Sequence, residues 1–207
     1  MINFQKGTII VLLFGLYLFT GCSDVLPYSA YIDYVQDPQN GLVKESNINT
    51  ITYKLQYWPQ DIFVYQEYLN HKTDDPDIDS IKSRYDHFVY FKLSISYGGS
   101  DIFKVLNTYQ KQELVKTILS LNFHRVKLKS GSGCEFPLVD CRLNRYFEFS
   151  KPSEIMFVFQ KSALLENSNH IKFNMDDIGL GSGELCFEFN TRQIEKIPLL
   201  KIDKLKT

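Results

Sequence analysis

Two long runs alternate apolar and polar residues with a period of two, and that alternation narrows the fold more than any other feature of the chain. In Ile51-Thr52-Tyr53-Lys54-Leu55-Gln56-Tyr57-Trp58, the residues Ile51, Tyr53, Leu55 and Tyr57 share one face, and Thr52, Lys54 and Gln56 the other. From His87 to Tyr97, the residues Val89, Phe91, Leu93, Ile95 and Tyr97 alternate with Lys92, Ser94 and Ser96. A helix of 3.6 residues per turn cannot hold such a set on one side, so each run is expected to be a strand with one buried face. The chain carries 16 Phe and 13 Tyr against one Trp, side chains that pack well on a pleated surface, which argues for a β-rich body.

Shorter segments extend the pattern. Asn40-Gly41 suits positive backbone dihedrals and predicts a hairpin joining Tyr31–Val35 to a strand after Leu42. His124–Lys129, the turn Ser130-Gly131-Ser132-Gly133 and Phe136–Leu143 predict a second hairpin. Tyr146–Phe149 reads as a strand, and the unbroken apolar run Ile155–Phe159 as a central strand covered on both faces. Ile171–Phe173 and Leu185–Phe189 bracket a glycine-rich loop, and Ile197–Leu205 reads as a strand or extended tail.

Pro59 ends the first long strand, after which Ile62, Tyr65 and Leu69 fall on one helical stripe. The span Thr108–Leu119 places Leu114, Val115, Ile118 and Leu119 at helical spacing. The polar stretch His71–Ser83 is expected to be an exposed excursion or a mobile loop, with room for a turn of helix. Strands outnumber helices without regular βαβ alternation, so the predicted class is α+β, predominantly antiparallel β in hairpins or a sandwich, with about two short helices.

The N-terminus has a different character. Lys6 is the only charged side chain before the apolar run Ile9–Phe19, which at about 11 residues falls short of the roughly 20 needed to cross a bilayer. This is the layout of a cleaved signal peptide. Leu18-Phe19-Thr20-Gly21-Cys22 resembles the lipobox of bacterial lipoproteins, with Gly21 preceding the cysteine, and Phe19 standing where Leu, Val or Ile is usual. The resemblance implies cleavage after residue 21, diacylglycerol on the sulfur of Cys22, and membrane attachment through that lipid alone. It divides the chain into a signal peptide over 1–21, a lipidated cysteine with a short tether over 22–41, and a single β-rich domain over 42–207. With its tyrosine-rich body and the turn Asp37–Leu42, the chain also resembles uncharacterised envelope lipoproteins of Bacteroidetes-type bacteria, which implies a cell-envelope location, most simply the outer membrane.

Charge and motif exclude several chemistries. A formal charge of −1 gives no electrostatic reason to seek nucleic acid. Beyond Cys22 there are three cysteines, Cys134, Cys141 and Cys186, an odd number that is no disulfide framework, although Cys134 and Cys141 are close enough in sequence to pair. No Cys-x-x-Cys or spaced histidine partner predicts a metal. The twelve residues Asp75–Asp86 superficially resemble an EF-hand loop, but Ser80 stands where the sharp turn needs Gly and Asp86 where a bidentate Glu is usual. They read as a solvated acidic loop whose aspartates also start a helical turn.

Gly179-Leu180-Gly181-Ser182-Gly183 has the glycines of a phosphate loop but leads through Glu184 into a strand rather than a helix. His71, His87, His124 and His170 sit in no recognisable catalytic motif. No cofactor or metal is expected, and no enzyme. The expected role is a non-enzymatic binding or interaction module whose partner is an envelope protein or extracellular ligand. The alternatives are a small-ligand or carbohydrate-binding lipoprotein, or a hydrolase with a dispersed site. Trp58, on the polar face of its strand beside Pro59, is the residue singled out for binding, as an exposed anchor, the alternative being that it packs under the following helix.

Overall fold

A computed structural model describes residues 25–70, 77–122, 124–144, 153–161 and 168–202. The signal segment, Cys22 and the strand expected at Tyr146–Phe149 lie outside the described residues. The chain enters through β1 (Val25–Leu26), α1 (Tyr28–Gln36) and a 3-10 turn over Pro38–Asn40, followed by β2 (Val43–Ile48) and β3 (Ile51–Tyr57). Next come α2 (Gln60–Asn70), α3 (Ile78–Ser83), β4 (Phe88–Tyr97), β5 (Ser100–Asp101), α4 (Ile102–Val105) and α5 (Thr108–Leu119). The remaining strands are β6 (Val126–Ser130), β7 (Glu135–Phe136), β8 (Leu138–Asn144), β9 (Glu154–Gln160), β10 (His170–Met175) and β11 (Leu185–Asn190), before α6 (Thr191–Glu195) and β12 (Leu199–Leu200). The described residues are predominantly antiparallel β, with six helices rather than about two; three of these, α1, α2 and α5, exceed two turns.

Two sheets face each other. The larger runs β2-β3-β4-β9-β8 with β5 paired to β4, and the smaller runs β11-β10-β6-β7. The two long alternating runs are neighbours, Ile51 opposite Tyr97 and Leu55 opposite Leu93, so their apolar faces fuse into one buried surface, except that Tyr97, expected inward, lies at the strand end and is 44% exposed. Tyr53, Leu55, Phe91, Leu93, Phe157 and Phe159 meet Phe173, Phe189 and Leu128 of the smaller sheet in one continuous core. Leu114 and Ile118 of α5 join it, as their helical spacing predicts, while Leu119 stays exposed. The run Ile155–Phe159 is covered on both faces as expected: Ile155, Phe157 and Phe159 enter this core, and Met156 and Val158 pack into a second one on the opposite face.

That second core overturns part of the sequence reading. The segment expected as tether and hairpin strand, Tyr31–Val35, is the helix α1, lying against the outer face of the larger sheet with Tyr31 and Val35 wholly buried. Tyr31, Asp33 and Val35 fit a period of two, but Tyr31 and Val35 are also one helical turn apart, and with Pro27 ahead of the first turn the helical solution buries both. The carbonyl of Val35, one of the four that α1 cannot satisfy internally, accepts from Gln56 Nε2 at 2.9 Å. Gln56 can therefore be buried in the middle of a strand.

The helix α2 rests on the same face through Ile62, while Val64 and Tyr68 turn to Ile81 of α3, rather than Ile62, Tyr65 and Leu69 forming one buried stripe; Leu69 is exposed and Tyr65 stacks on Tyr28. Within the acidic stretch, Asp77 caps α3 by accepting from the Asp79 N–H, and Ile81 anchors that helix under α2.

The turns explain two further corrections. Gly41, at φ 75°, closes the 3-10 turn instead of a hairpin, and the first hairpin turns at Asn49-Thr50, between Ile48 and its partner Ile51. Both turn residues have positive φ, which suits the twist of paired strands but costs about 1–2 kcal/mol for a residue with a Cβ, and Thr50 is β-branched besides. The expected hairpin from His124 to Leu143 is only two residue pairs deep. Pro137, which has no N–H to donate to the ladder, ends the β6–β7 pairing, and the chain crosses to the larger sheet as β8. The tail contributes β12, which runs parallel to β1.

Candidate functional site

The outer face of the larger sheet becomes polar alongside α1, and a groove of about 710 Å³ opens there. Strand register builds its floor. Lys54 lies opposite Ser94, which lies opposite Glu154; one row along, Gln56 lies opposite Lys92. All five point away from the phenylalanine core. Tyr28 and Asp33 of α1 and Gln66 of α2 form the sides.

The Lys92 ammonium sits 3.0 Å from Glu154 Oε1 and 3.7 Å from the centroid of the Trp58 ring. The Lys92 and Glu154 side chains are only 13% and 16% exposed, so the pair is held in a partly desolvated setting where a cation over an indole face contributes more than at an open surface. Burial lowers the Lys92 pKa below the usual lysine value; Glu154 opposes this and the nearby Lys54 adds to it. Lys54 itself is 39% exposed, and its nearest carboxylate, Glu45, is 3.9 Å away.

Of the two sequence readings of Trp58, the structure takes the packed one, under the following helix, rather than the exposed anchor. It is 9% exposed and packs with Ile62, Tyr31 and Tyr90, and it reaches the groove only beneath the Lys92 ammonium. The sequence singled out Trp58 but passed over Lys54, Lys92 and Glu154, since each reads as an ordinary solvated position and their convergence depends on a three-strand register.

A smaller cavity of about 280 Å³ lies beside Tyr31, with Tyr57, Asp61 and the chain from Ile194 to Leu199 around it. Burial raises the Asp61 pKa, against the pull of Lys82 and of the Tyr31 hydroxyl, which donates to it at 3.5 Å.

Burial also raises the tyrosines here: Tyr31 and Tyr57, each with Asp61 adding to the effect, and Tyr90, which reaches about 12 with help from Tyr85 and Asp86. An unfolded tyrosine ionises near pH 10. The stability these three contribute is therefore fully present below pH 10 and lost as pH rises from there through their folded values. Lys92 acts with the opposite sign, its lowered pKa favouring the fold as pH approaches the ordinary lysine value, but it is one group against three. Alkaline titration is expected to show stability falling steeply above about pH 10.5, with tyrosinate absorbance lagging until the protein unfolds. Smooth ionisation of all tyrosines near pH 10 with the fold intact would contradict it.

The glycine loop has its donors engaged. Asp177 accepts from the N–H groups of Gly179, Leu180 and Gly181 at 2.9–3.1 Å and from the Ser182 hydroxyl at 3.2 Å. Burial pulls the Asp177 carboxyl upward, but the amides of Leu180, Ser182 and Gly181 outweigh it and hold the pKa below the usual carboxylate range. The loop thus binds its own carboxylate where a phosphate loop would hold a ligand.

Cys134, Cys141 and Cys186 are free thiols, and burial, with Asp140 adding, pushes Cys141 up to about 12, which leaves it a poor nucleophile. Among the described residues no three His, Cys, Asp or Glu side chains are placed to hold a metal ion, and no helix is long and apolar enough to cross a membrane.

No family model and no curated protein matches the chain. Among solved structures, a DUF4426 family protein from Pseudomonas aeruginosa PAO1 aligns at 10% identity over 72% of this chain and 92% of its own. A novel protein of unknown function from Burkholderia pseudomallei K96243 aligns at 11% identity over 80% of this chain and 90% of its own. Each has a TM-score of 0.38, a likeness too slight to carry an argument about this chain.

Proposed function

We propose that this protein is a lipid-anchored component of a bacterial cell envelope that binds a small polar ligand in the groove between α1 and the larger sheet, without catalysis. The observation that supports the binding role is the convergence of Lys54, Lys92, Glu154 and Gln56 on the floor of one groove of about 710 Å³, a size suited to a small solute. The anchor rests on the lipobox resemblance at Cys22, and the outer membrane is the location that resemblance favours.

The binding role is tested by ligand-observed NMR with a panel of neutral saccharides, sugar acids, amino acids and short peptides at about 1 mM, the weak end of specific recognition. At least one class is expected to bind, and Ser29→Trp, which places an indole on the groove wall, to abolish its signal. No binding by any class, or binding indifferent to Ser29→Trp, would remove this reading.

The anchor is tested separately. Because each buried methylene contributes about 0.8 kcal/mol, two or three acyl chains on Cys22 suffice for stable attachment. Cys22→Ser is expected to abolish metabolic lipid labelling and to move the protein from the membrane to the soluble fraction. Unchanged partition would sink the lipoprotein assignment.

A further inference from the structure

The groove's aromatic groups are already engaged. Trp58 is capped by the Lys92 ammonium at 3.7 Å, and Tyr28 stacks on Tyr65 at 4.4 Å while its hydroxyl accepts from Gln66 Nε2 at 3.4 Å. Recognition therefore falls to the charged groups rather than to a ring stacked on a sugar. On the floor, Lys54 and Lys92 are diagonal neighbours on adjacent strands, close enough that Lys54 helps depress the Lys92 pKa. Glu154 serves Lys92 directly, whereas Glu45 lies 3.9 Å from Lys54, beyond a normal hydrogen bond. Lys54 is thus a half-exposed cation open to a better acceptor.

On the wall the sign reverses. Asp33 projects from the exposed side of α1, and its carboxylate makes no hydrogen bond or ion pair with any described residue. A cationic floor and an anionic wall across one groove complement a ligand whose own charges are opposite and separated.

We propose that the groove binds a small zwitterion of the short-peptide class, with the ligand's carboxylate docked at Lys54 beside Lys92 and its ammonium at Asp33. This rests on the ligand-binding reading above and names the chemistry of its ligand. Carboxylate to ammonium is a strong, charge-assisted hydrogen bond, and two such contacts at fixed separation select ligands with free termini.

The full chain is titrated by calorimetry with trialanine, its N-acetyl form, its C-terminal amide and a neutral trisaccharide. Trialanine is expected to bind, and each capped form to bind at least about tenfold more weakly, the worth of one such contact. Lys54→Met should erase the discrimination against the amide while keeping that against the acetyl form, and Asp33→Asn should do the reverse. Equal binding of free and capped peptides, or discrimination that survives both substitutions, overturns the proposal. Binding of the trisaccharide alone, lost in Ser29→Trp, overturns the zwitterion and leaves the groove a ligand site. Silence from these four probes overturns the proposal, and silence across the wider panel removes the binding role with it.

Discussion

Phe173→Ala is expected to lower the unfolding free energy by about 3–5 kcal/mol, a large share of the roughly 5–15 kcal/mol that a domain of this kind possesses. Phe173 is the contribution of the smaller sheet to the middle of the sandwich. Its side chain is wholly buried, and its ring lies 5.7 Å from Phe91, 5.2 Å from Phe157 and 6.0 Å from Phe159, three rings on two adjacent strands of the larger sheet. Truncation removes the transfer free energy of the ring and leaves a cavity walled by aromatic groups on paired strands, which cannot move in to fill it. Phe173→Leu keeps much of the volume and should cost well under half as much. Urea denaturation of the two variants measures the difference. A loss below about 1 kcal/mol for the alanine variant would mean that the sheets do not pack through this residue.

Asp101→Ala is the second large effect, expected at about 2–5 kcal/mol, and its origin is polar. Asp101 is 8% exposed and has two backbone partners. One oxygen accepts from the Phe103 N–H at 2.7 Å, capping α4, and the other accepts from the Ser153 N–H just before β9. A single carboxylate therefore ties the junction of β5 and α4 to the start of a central strand that is 52 positions away. Alanine leaves two buried donors unpaired, each costing about 1–3 kcal/mol. Asp101→Asn retains one acceptor oxygen and should recover roughly half of the loss. Amide hydrogen exchange locates the effect: Phe103 and Ser153 should lose protection together in the alanine variant, and independent behaviour would show that the two bonds do not share a carboxylate.

The parts of this architecture that sequence made legible are those whose periodicity admits one answer. β3, β4 and α5 follow from their patterns because a ten-residue alternation or a three-turn apolar stripe has no competing solution. α1 does not, since nine residues with buried positions four apart satisfy both periods, and the choice is made by what the outer sheet face has to cover. The helical stripe of α2 differs by one residue for a similar reason: Tyr65 stacks on Tyr28 at the groove edge, and Val64 and Tyr68 are buried against Ile81 of α3 instead. Least legible was the groove. Lys54, Lys92 and Glu154 are spread over 100 positions, and only the pairings of β3 with β4 and of β4 with β9 bring them together. Trp58, on the polar strand face beside Pro59, reads from sequence as a binding residue, yet it is buried with the Lys92 ammonium over its ring.

The pairing of β1 with β12 has a mechanical consequence. Val25 and Leu26 lie in parallel register with Leu199 and Leu200, and Lys201 donates its N–H to Leu26 at 2.8 Å. If the chain is held at Cys22, tension from the anchor enters the domain at Val25, and the β1–β12 clip is the first tertiary element in its path. Were the anchor proposed at Cys22 to hold the chain, Leu199–Lys201 would take part of that load ahead of α1 and the groove, and Lys201→Pro, which removes the bond to Leu26, would be the substitution that uncouples the two ends.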